Sequence, residues 1–390
     1  MEKNDNKLLN KKNKRSKRIG TQKSESPRKN SKNEFLGKVN GVNGTNLIPK
    51  SFKFIKNLAD IQDFNPYCNY IIFTSINNIL YLVYASGNFS IASYDLINNI
   101  KINEIKNCHS KNILSLEHIY DKENKKNLLL SLSNDNNIKL WNIDNLECIL
   151  NIKSKIENNE EIEYCVNSSC CFLQDKNKIY IVISRECDEM IEIYDMKGNI
   201  IKKFGDSNLQ TKICSFYDNN LDKSYIISLK HKKLISYDFN SGAIFRTYDQ
   251  IEKFKHMLTL NYHSILIIYE KDLTKLIAID CYCVNIWNFY TGQNIKKINI
   301  KFDKYSHSKS VCLWNNKYLL MIYNPSYVSD AGKENNSIFL VDIEKGSIKK
   351  NIITFKKFYL FFISKLIHPI YGECLMTFGY DYIFKLFKEK

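Results

Sequence analysis

The chain has 390 residues, and its 57 Lys+Arg against 41 Asp+Glu leave a formal charge of +16 at pH 7. Gly at 13, Pro at 5 and aromatics at 13% exclude collagen-like and wholly disordered classes, and 44% hydrophobic residues are enough for a large core. No apolar run approaches the roughly 18–20 residues of a spanning helix, and the opening Met-Glu-Lys-Asn-Asp-Asn-Lys holds no apolar signal core, so an intracellular protein without a membrane span is expected.

Residues 1–50 hold 14 Lys+Arg against 4 Asp+Glu, a net of +10, which leaves only +6 for residues 51–390. This first segment is rich in Asn, Ser and Gly and poor in large apolar residues. It cannot bury enough surface to offset its ordering entropy, and a disordered basic tail is expected. Its densest part is Lys11, Lys12, Lys14, Arg15, Lys17 and Arg18. Such a cluster suits an acidic import receptor or the phosphates of RNA, and it favours a nuclear or nucleolar location over a cytoplasmic one. A solvated extension without a role is the competing reading.

From residue 51 onward, short apolar runs of 4–8 residues rich in Ile, Leu, Tyr, Phe and Val alternate with Asn, Asp, Lys and Gly turns, which is the pattern of many β-strands. The runs repeat. One strand in each unit closes on Tyr94-Asp95, Trp141-Asn142, Tyr194-Asp195, Tyr237-Asp238, Trp287-Asn288, Val341-Asp342 and finally Phe387. Spacings of 47, 53, 43, 50, 54 and 46 make seven copies of one supersecondary unit. Three residues before each anchor stand Ile91, Ile138, Ile191, Leu234, Val284, Ile338 and Phe384, all apolar. Six residues before it stand Asn88, Asp135, Asp188, His231, Cys281, Asn335 and Asp381, five of seven being Asn or Asp, as a tight turn between two strands requires.

These residues resemble the WD-repeat β-propeller family, with the second unit carrying the resemblance: His109, then the strands Asn112–Ile119 and Leu128–Ser133, then Asp135 and Trp141-Asn142. The resemblance implies a seven-bladed, all-β propeller of four-stranded antiparallel blades over residues 51–390. It also implies a hydrogen-bonded tetrad of His109, Ser131 or Ser133, Asp135 and Trp141, with a structural task. A hydrolase triad is the competing reading of His, Ser and Asp, but no nucleophile-elbow sequence accompanies them. The other six units depart from the family pattern, since most lack the His and Asn replaces Asp after Trp141 and Trp287. The last unit stops after its third strand, and the stretch 51–58, with Phe52, Phe54, Ile55 and Leu58, is expected to close that blade.

In the family, connections before the first strand and between the second and third lie on one face. The long ones here are 153–163, 249–263, 301–309, 324–336 and 354–359, four of them pairing Tyr or Phe with Lys. Tyr305, His307, Tyr327 and Phe358 are the partner-binding candidates. No phosphate-cradling Gly-rich loop and no His-Glu-x-x-His occur, so no catalytic residue and no cofactor are expected. Twelve cysteines are scattered without a Cys-x-x-Cys pair, and Cys281 and Cys283 alternate on a strand, which reads as reduced core thiols and no metal. The expectation is a non-enzymatic protein-interaction scaffold in a multi-subunit complex, with an RNA- or ribonucleoprotein-associated factor acting through the tail as the alternative.

Overall fold

A computed structural model of the chain describes residues 51–65, 68, 70–75, 79–87, 89–153, 169–184, 190–205, 210–230, 233–248, 264–269, 273–279, 283–300, 310–324, 336–355 and 359–390. The chain divides into two units, Met1–Asn33 and Glu34–Lys390. The expected basic tail, 1–50, lies outside the described residues.

The described part is a seven-bladed β-propeller, with no helix among the described residues. β1 (Phe52–Asp60) comes first in the chain but belongs to the last sheet. Blade 1 is β2 (Tyr70–Thr74), β3 (Leu80–Ser86), β4 (Ser90–Asp95) and β5 (Ile100–Ile105). Blade 2 is β6 (Ile113–Asp121), β7 (Lys126–Ser133), β8 (Asn137–Asn142) and β9 (Glu147–Lys153). Blade 3 is β10 (Ser169–Asp175), β11 (Lys178–Ser184), β12 (Ile191–Tyr194) and β13 (Ile200–Phe204). Blade 4 is β14 (Gln210–Asp218), β15 (Lys223–Lys230), β16 (Lys233–Asp238) and β17 (Ile244–Tyr248). Blade 5 is β18 (Ser264–Ile268), β19 (Lys275–Ile279), β20 (Cys283–Asn288) and β21 (Asn294–Asn299). Blade 6 is β22 (Val311–Trp314), β23 (Tyr318–Tyr323), β24 (Asn336–Asp342) and β25 (Ile348–Phe355). Blade 7 is β26 (Leu360–His368), β27 (Gly372–Gly379), β28 (Ile383–Glu389) and, as its fourth strand, β1.

All strand pairs within the blades are antiparallel. The ring closes where Phe52 faces Glu389, Phe54 faces Phe387 and Asp60 faces Ile383, so the first strand of the described chain pairs with the last. That strand runs two residues beyond the expected 51–58 and carries two bulges, between Phe54 and Lys56 and between Asn57 and Ala59.

The second strands are apolar at consecutive positions because both of their faces are covered, and successive side chains point to opposite neighbours. Leu129 of β7 packs toward blade 1 with Val83 and Ala85, while Leu128 and Leu130 pack toward blade 3 with Ile181 and Ile183. On β11 the roles continue, Ile181 and Ile183 facing blade 2 and Val182 facing blade 4. Among the described residues there are seven such clusters, one between each adjacent pair of blades, the closing one joining Leu58 and Phe384 to Leu82 and Tyr84. Each fully buried Leu or Ile adds about 1.5–3 kcal/mol, so the ring is held by seven apolar seams rather than one centre. The nine described cysteines are free thiols, and all but Cys148 are buried.

Candidate functional site

The seven anchors fall on the third strands, and the column three residues before them is exposed by 2% or less in every blade. In blade 2 this register brings four polar side chains together. Ser131 comes from β7, Trp141 from β8, Asp135 from the turn between them and His109 from the segment entering the blade. His109 Nδ1 lies 2.9 Å from Asp135 Oδ2 and 3.1 Å from Oδ1, its Nε2 lies 2.8 Å from Ser131 Oγ, and Trp141 Nε1 donates to the same Oγ at 2.9 Å. Ser131 is thus the serine of the tetrad. Ser133 instead donates to Lys111 O at 3.0 Å and accepts the Asp135 N–H at 3.1 Å. Burial works to raise the Asp135 pKa, but hydrogen bonds from His109 and from the Ser110 and Asn137 N–H groups outweigh it and hold the carboxyl well below the usual carboxylate range. The order Asp, His, Ser is that of a hydrolytic triad, yet Ser131 is 0% exposed and already accepts the indole N–H. The four groups bond one another across the entering segment, β7, the turn and β8, and so tie these parts of the blade together.

The residue after each of six anchors builds the turn to the fourth strand. Asp95 Oδ1 accepts the Ile97 and Asn98 N–H groups at 2.8 and 3.1 Å, Asn288 Oδ1 those of Tyr290 and Thr291 at 2.9 and 3.1 Å, and Asp342 Oδ1 those of Glu344 and Lys345 at 3.0 and 2.9 Å. Asn142, Asp195 and Asp238 make the corresponding bonds to Asp144, Lys197 and Ser241. A carboxylate and an amide oxygen accept equally well here, which is why Asn serves where the family pattern has Asp.

Two further columns escaped sequence reasoning. Gly242, Gly292 and Gly346 stand five residues after their anchors with φ of 72°, 74° and 74°, and Gly198 stands four after its anchor with φ of 87°. On the fourth strands, Lys202 Nζ donates to Phe239 O at 2.7 Å and Asn240 O at 2.6 Å, Arg246 Nε donates to Tyr290 O at 2.7 Å, and Lys296 Nζ donates to Glu344 O. All three face the residue preceding the anchor, and all three reach the third-to-fourth-strand turn of the next blade. They are struts between blades. The signal for both columns was the anchor alignment extended past the Asp or Asn.

The innermost strands surround the centre. Glu117 on β6 lies within electrostatic reach of Cys171 on β10 and of Lys212 and Cys214 on β14, and Cys214 within reach of Cys171 and Lys212. Enclosure by protein pushes Glu117 up to about 7 against the pull of Lys212, pushes Lys212 down, and pushes the Cys214 thiol up to about 12. Such a thiol stays protonated and is a poor nucleophile. β10 and β14 are pinned together by Ile213 N–H to Ser169 Oγ at 3.3 Å and Ser215 Oγ to Phe172 O at 2.6 Å. Among the described residues no three His, Cys, Asp or Glu side chains are grouped to hold a metal ion.

Tyr305, His307, Tyr327 and Phe358 lie outside the described residues, as do Lys11, Lys12, Lys14, Arg15, Lys17 and Arg18. The strand ends around the first four are described. Segments 154–168, 249–263, 301–309 and 356–358 run from the fourth strand of one blade to the first of the next, and 325–335 joins the second and third strands of blade 6. Because strand direction alternates, all these ends lie on one face of the ring, opposite the hairpins that join first to second and third to fourth strands. No protein-family model matches the chain, and no curated protein matches it.

Proposed function

We propose that the protein is a non-enzymatic interaction scaffold, a divergent member of the WD-repeat family that serves as a subunit of a larger intracellular assembly. One observation carries this reading: five connections are anchored to one face of a closed ring of seven blades. Rigid sheets fix the strand ends, so segments from different blades start and finish at set positions on one face and are offered together to one partner. Tyr305, Tyr327 and Phe358 supply aromatic rings of the kind enriched at protein interfaces, with His307 beside Tyr305 as a polar group. Family membership is supported by the blade 2 tetrad and by the Asp or Asn turn after six anchors. The cluster 11–18 directs the assembly to the nucleus or nucleolus by offering six cations to an import receptor.

A second reading has its own observation, the net charge of +10 in residues 1–50, which suits RNA and makes the protein a ribonucleoprotein-associated factor. Affinity capture separates the two. The tagged full-length chain, a chain of residues 46–390, and a full-length variant with Tyr305, His307, Tyr327 and Phe358 all changed to Ala are captured with and without nuclease. The scaffold reading expects the same proteins with the first two, resistant to nuclease, and their loss with the third. Material that vanishes with nuclease or with the tail supports RNA, and recovery of no protein at all overturns the scaffold.

A further inference from the structure

The outer strands carry a charge pattern that becomes visible only once they are aligned by register. The residue facing the position before the anchor is Asn103 in blade 1 and Leu150 in blade 2, and then a cation in five consecutive blades: Lys202, Arg246, Lys296, Lys349 and Lys56. Each of these residues is preceded by an apolar one, among them Ile149, Ile201 and Ile295, which are 43%, 41% and 41% exposed. Ile244, two positions before Arg246, is 55% exposed. β13, β17, β21 and β25 contain no Asp or Glu. Lys202, Arg246 and Lys296 donate to neutral carbonyl oxygens, so these contacts hold the cations in place without cancelling their charge. Among the described residues, every outer strand also has one edge with no strand beside it.

Lysines on an open edge discourage stray pairing, and that alone accounts for the cations. It does not account for β-branched apolar side chains left two-fifths in water next to them, because an uncovered apolar edge is itself a liability. A cover explains both. Successive residues of a strand face opposite sides, so a strand added at this edge meets Lys202 or Lys296 on one side and Ile201 or Ile295 on the other. An extended segment that alternates carboxylate and apolar side chains matches that arrangement and also uses the open backbone groups.

We propose that the outer edge of blades 3 to 6 is a docking surface for an extended acidic segment of a partner protein. This rests on the reading of the protein as an interaction scaffold and adds a second surface, separate from the face of the long connections. The test is fluorescence anisotropy of the full-length chain with a labelled peptide of about eight residues alternating Glu and Val, the length of a typical strand, at physiological salt. A uridine oligonucleotide and phosphatidylserine vesicles are the competing probes. Two variants are compared with the parent chain: Ile201→Ser with Ile295→Ser, and Lys202→Gln with Lys296→Gln, in which the amide still donates to the turn carbonyls while the charge is removed. The tail is intact in all three, so its own attraction for the peptide cancels in the comparison. Each variant is expected to weaken peptide binding about tenfold, some 1.4 kcal/mol. Unchanged affinity in both variants overturns the proposal, as does binding of the oligonucleotide or vesicles, but not the peptide, through these residues. If rim variants also capture the same proteins as the parent chain, the docking edge fails while the scaffold stands. A parent chain that captures nothing defeats the scaffold itself.

Discussion

Trp141 and Trp287 occupy the same place in blades 2 and 5, yet only one indole is satisfied. Trp141 faces Leu129, and Ser131, two residues further along the same face, accepts its N–H. Trp287 faces Leu276, and the residue two further is Ala278. Trp287 Nε1 is accordingly buried without a partner, and so is Oδ1 of Asn285, which sits directly across from Ala278. A hydroxyl at position 278 accepts from the indole and donates to the amide oxygen, removing two orphans with one atom. Ala278→Ser is therefore expected to stabilise the protein by about 1 kcal/mol, the net worth of an ordinary buried hydrogen bond. In urea unfolding this appears as a higher midpoint at unchanged slope. A lower midpoint means that the added hydroxyl stays unpaired, and the equivalence of the two sites is then wrong. Among the described residues, blade 7 shows the converse case: it keeps a buried Thr377 in the serine position, but its anchor Phe387 has no N–H to offer.

At the scale of the hairpin, the turn after the third strand needs one residue in the left-handed region. Gly292 supplies it in blade 5 with φ of 74°, whereas Leu146 holds the equivalent place in blade 2 with φ of 59°. A Cβ on Gly292 meets only Thr247 O at 3.6 Å and Arg246 Cδ at 3.9 Å, so a substitution there is felt through the backbone and not through a clash. The left-handed region costs an L-residue about 1–2 kcal/mol, and glycine gives back about 0.5–1 kcal/mol through its freer unfolded chain. Gly292→Ala should destabilise and Leu146→Gly should stabilise, each by about 0.5–1 kcal/mol. Thermal or urea melts giving the two changes the same sign rule out a common turn. These turns also mark where sequence reading stopped. Anchors and the apolar column before them stood out because burial on both faces demands the same chemistry in every unit. The left-handed position did not, because Asn99 and Leu146 replace glycine in the first two blades and Gly198 sits one residue early. The struts were hidden for a similar reason: a backbone carbonyl accepts from Lys202, Arg246 or Lys296 alike, so no single residue type repeats.

At the scale of the ring, no blade is stable by itself, since each apolar face is completed only by the next blade. Closure is the step on which the whole count of seams depends, and it rests on β1. Phe52 enters the cluster between blades 6 and 7, edge-on to Trp314 at 5.1 Å, while Leu58 and Ala59 enter the cluster between blades 7 and 1. Phe52 and Leu58 were readable in the sequence because an apolar stretch preceded the first unit while the last unit lacked a fourth strand, whereas Ala59 lay just past the expected 51–58. The rim charges were not, because a cation on an outer strand looks the same as any surface lysine until its register partner is known. Removing residues 1–60 takes away β1, uncovers the edge of β28 and opens two of the seven seams at once. An exposed edge beside bare Phe384, Leu386 and Phe387 recruits other chains. Removing residues 1–45 leaves the strand and both seams in place. The shorter deletion is expected to give soluble protein that sediments as a single species, and the longer one to partition into the pellet. Should both deletions yield equally soluble protein, β1 is dispensable for closure and the ring must be held by the remaining seams alone.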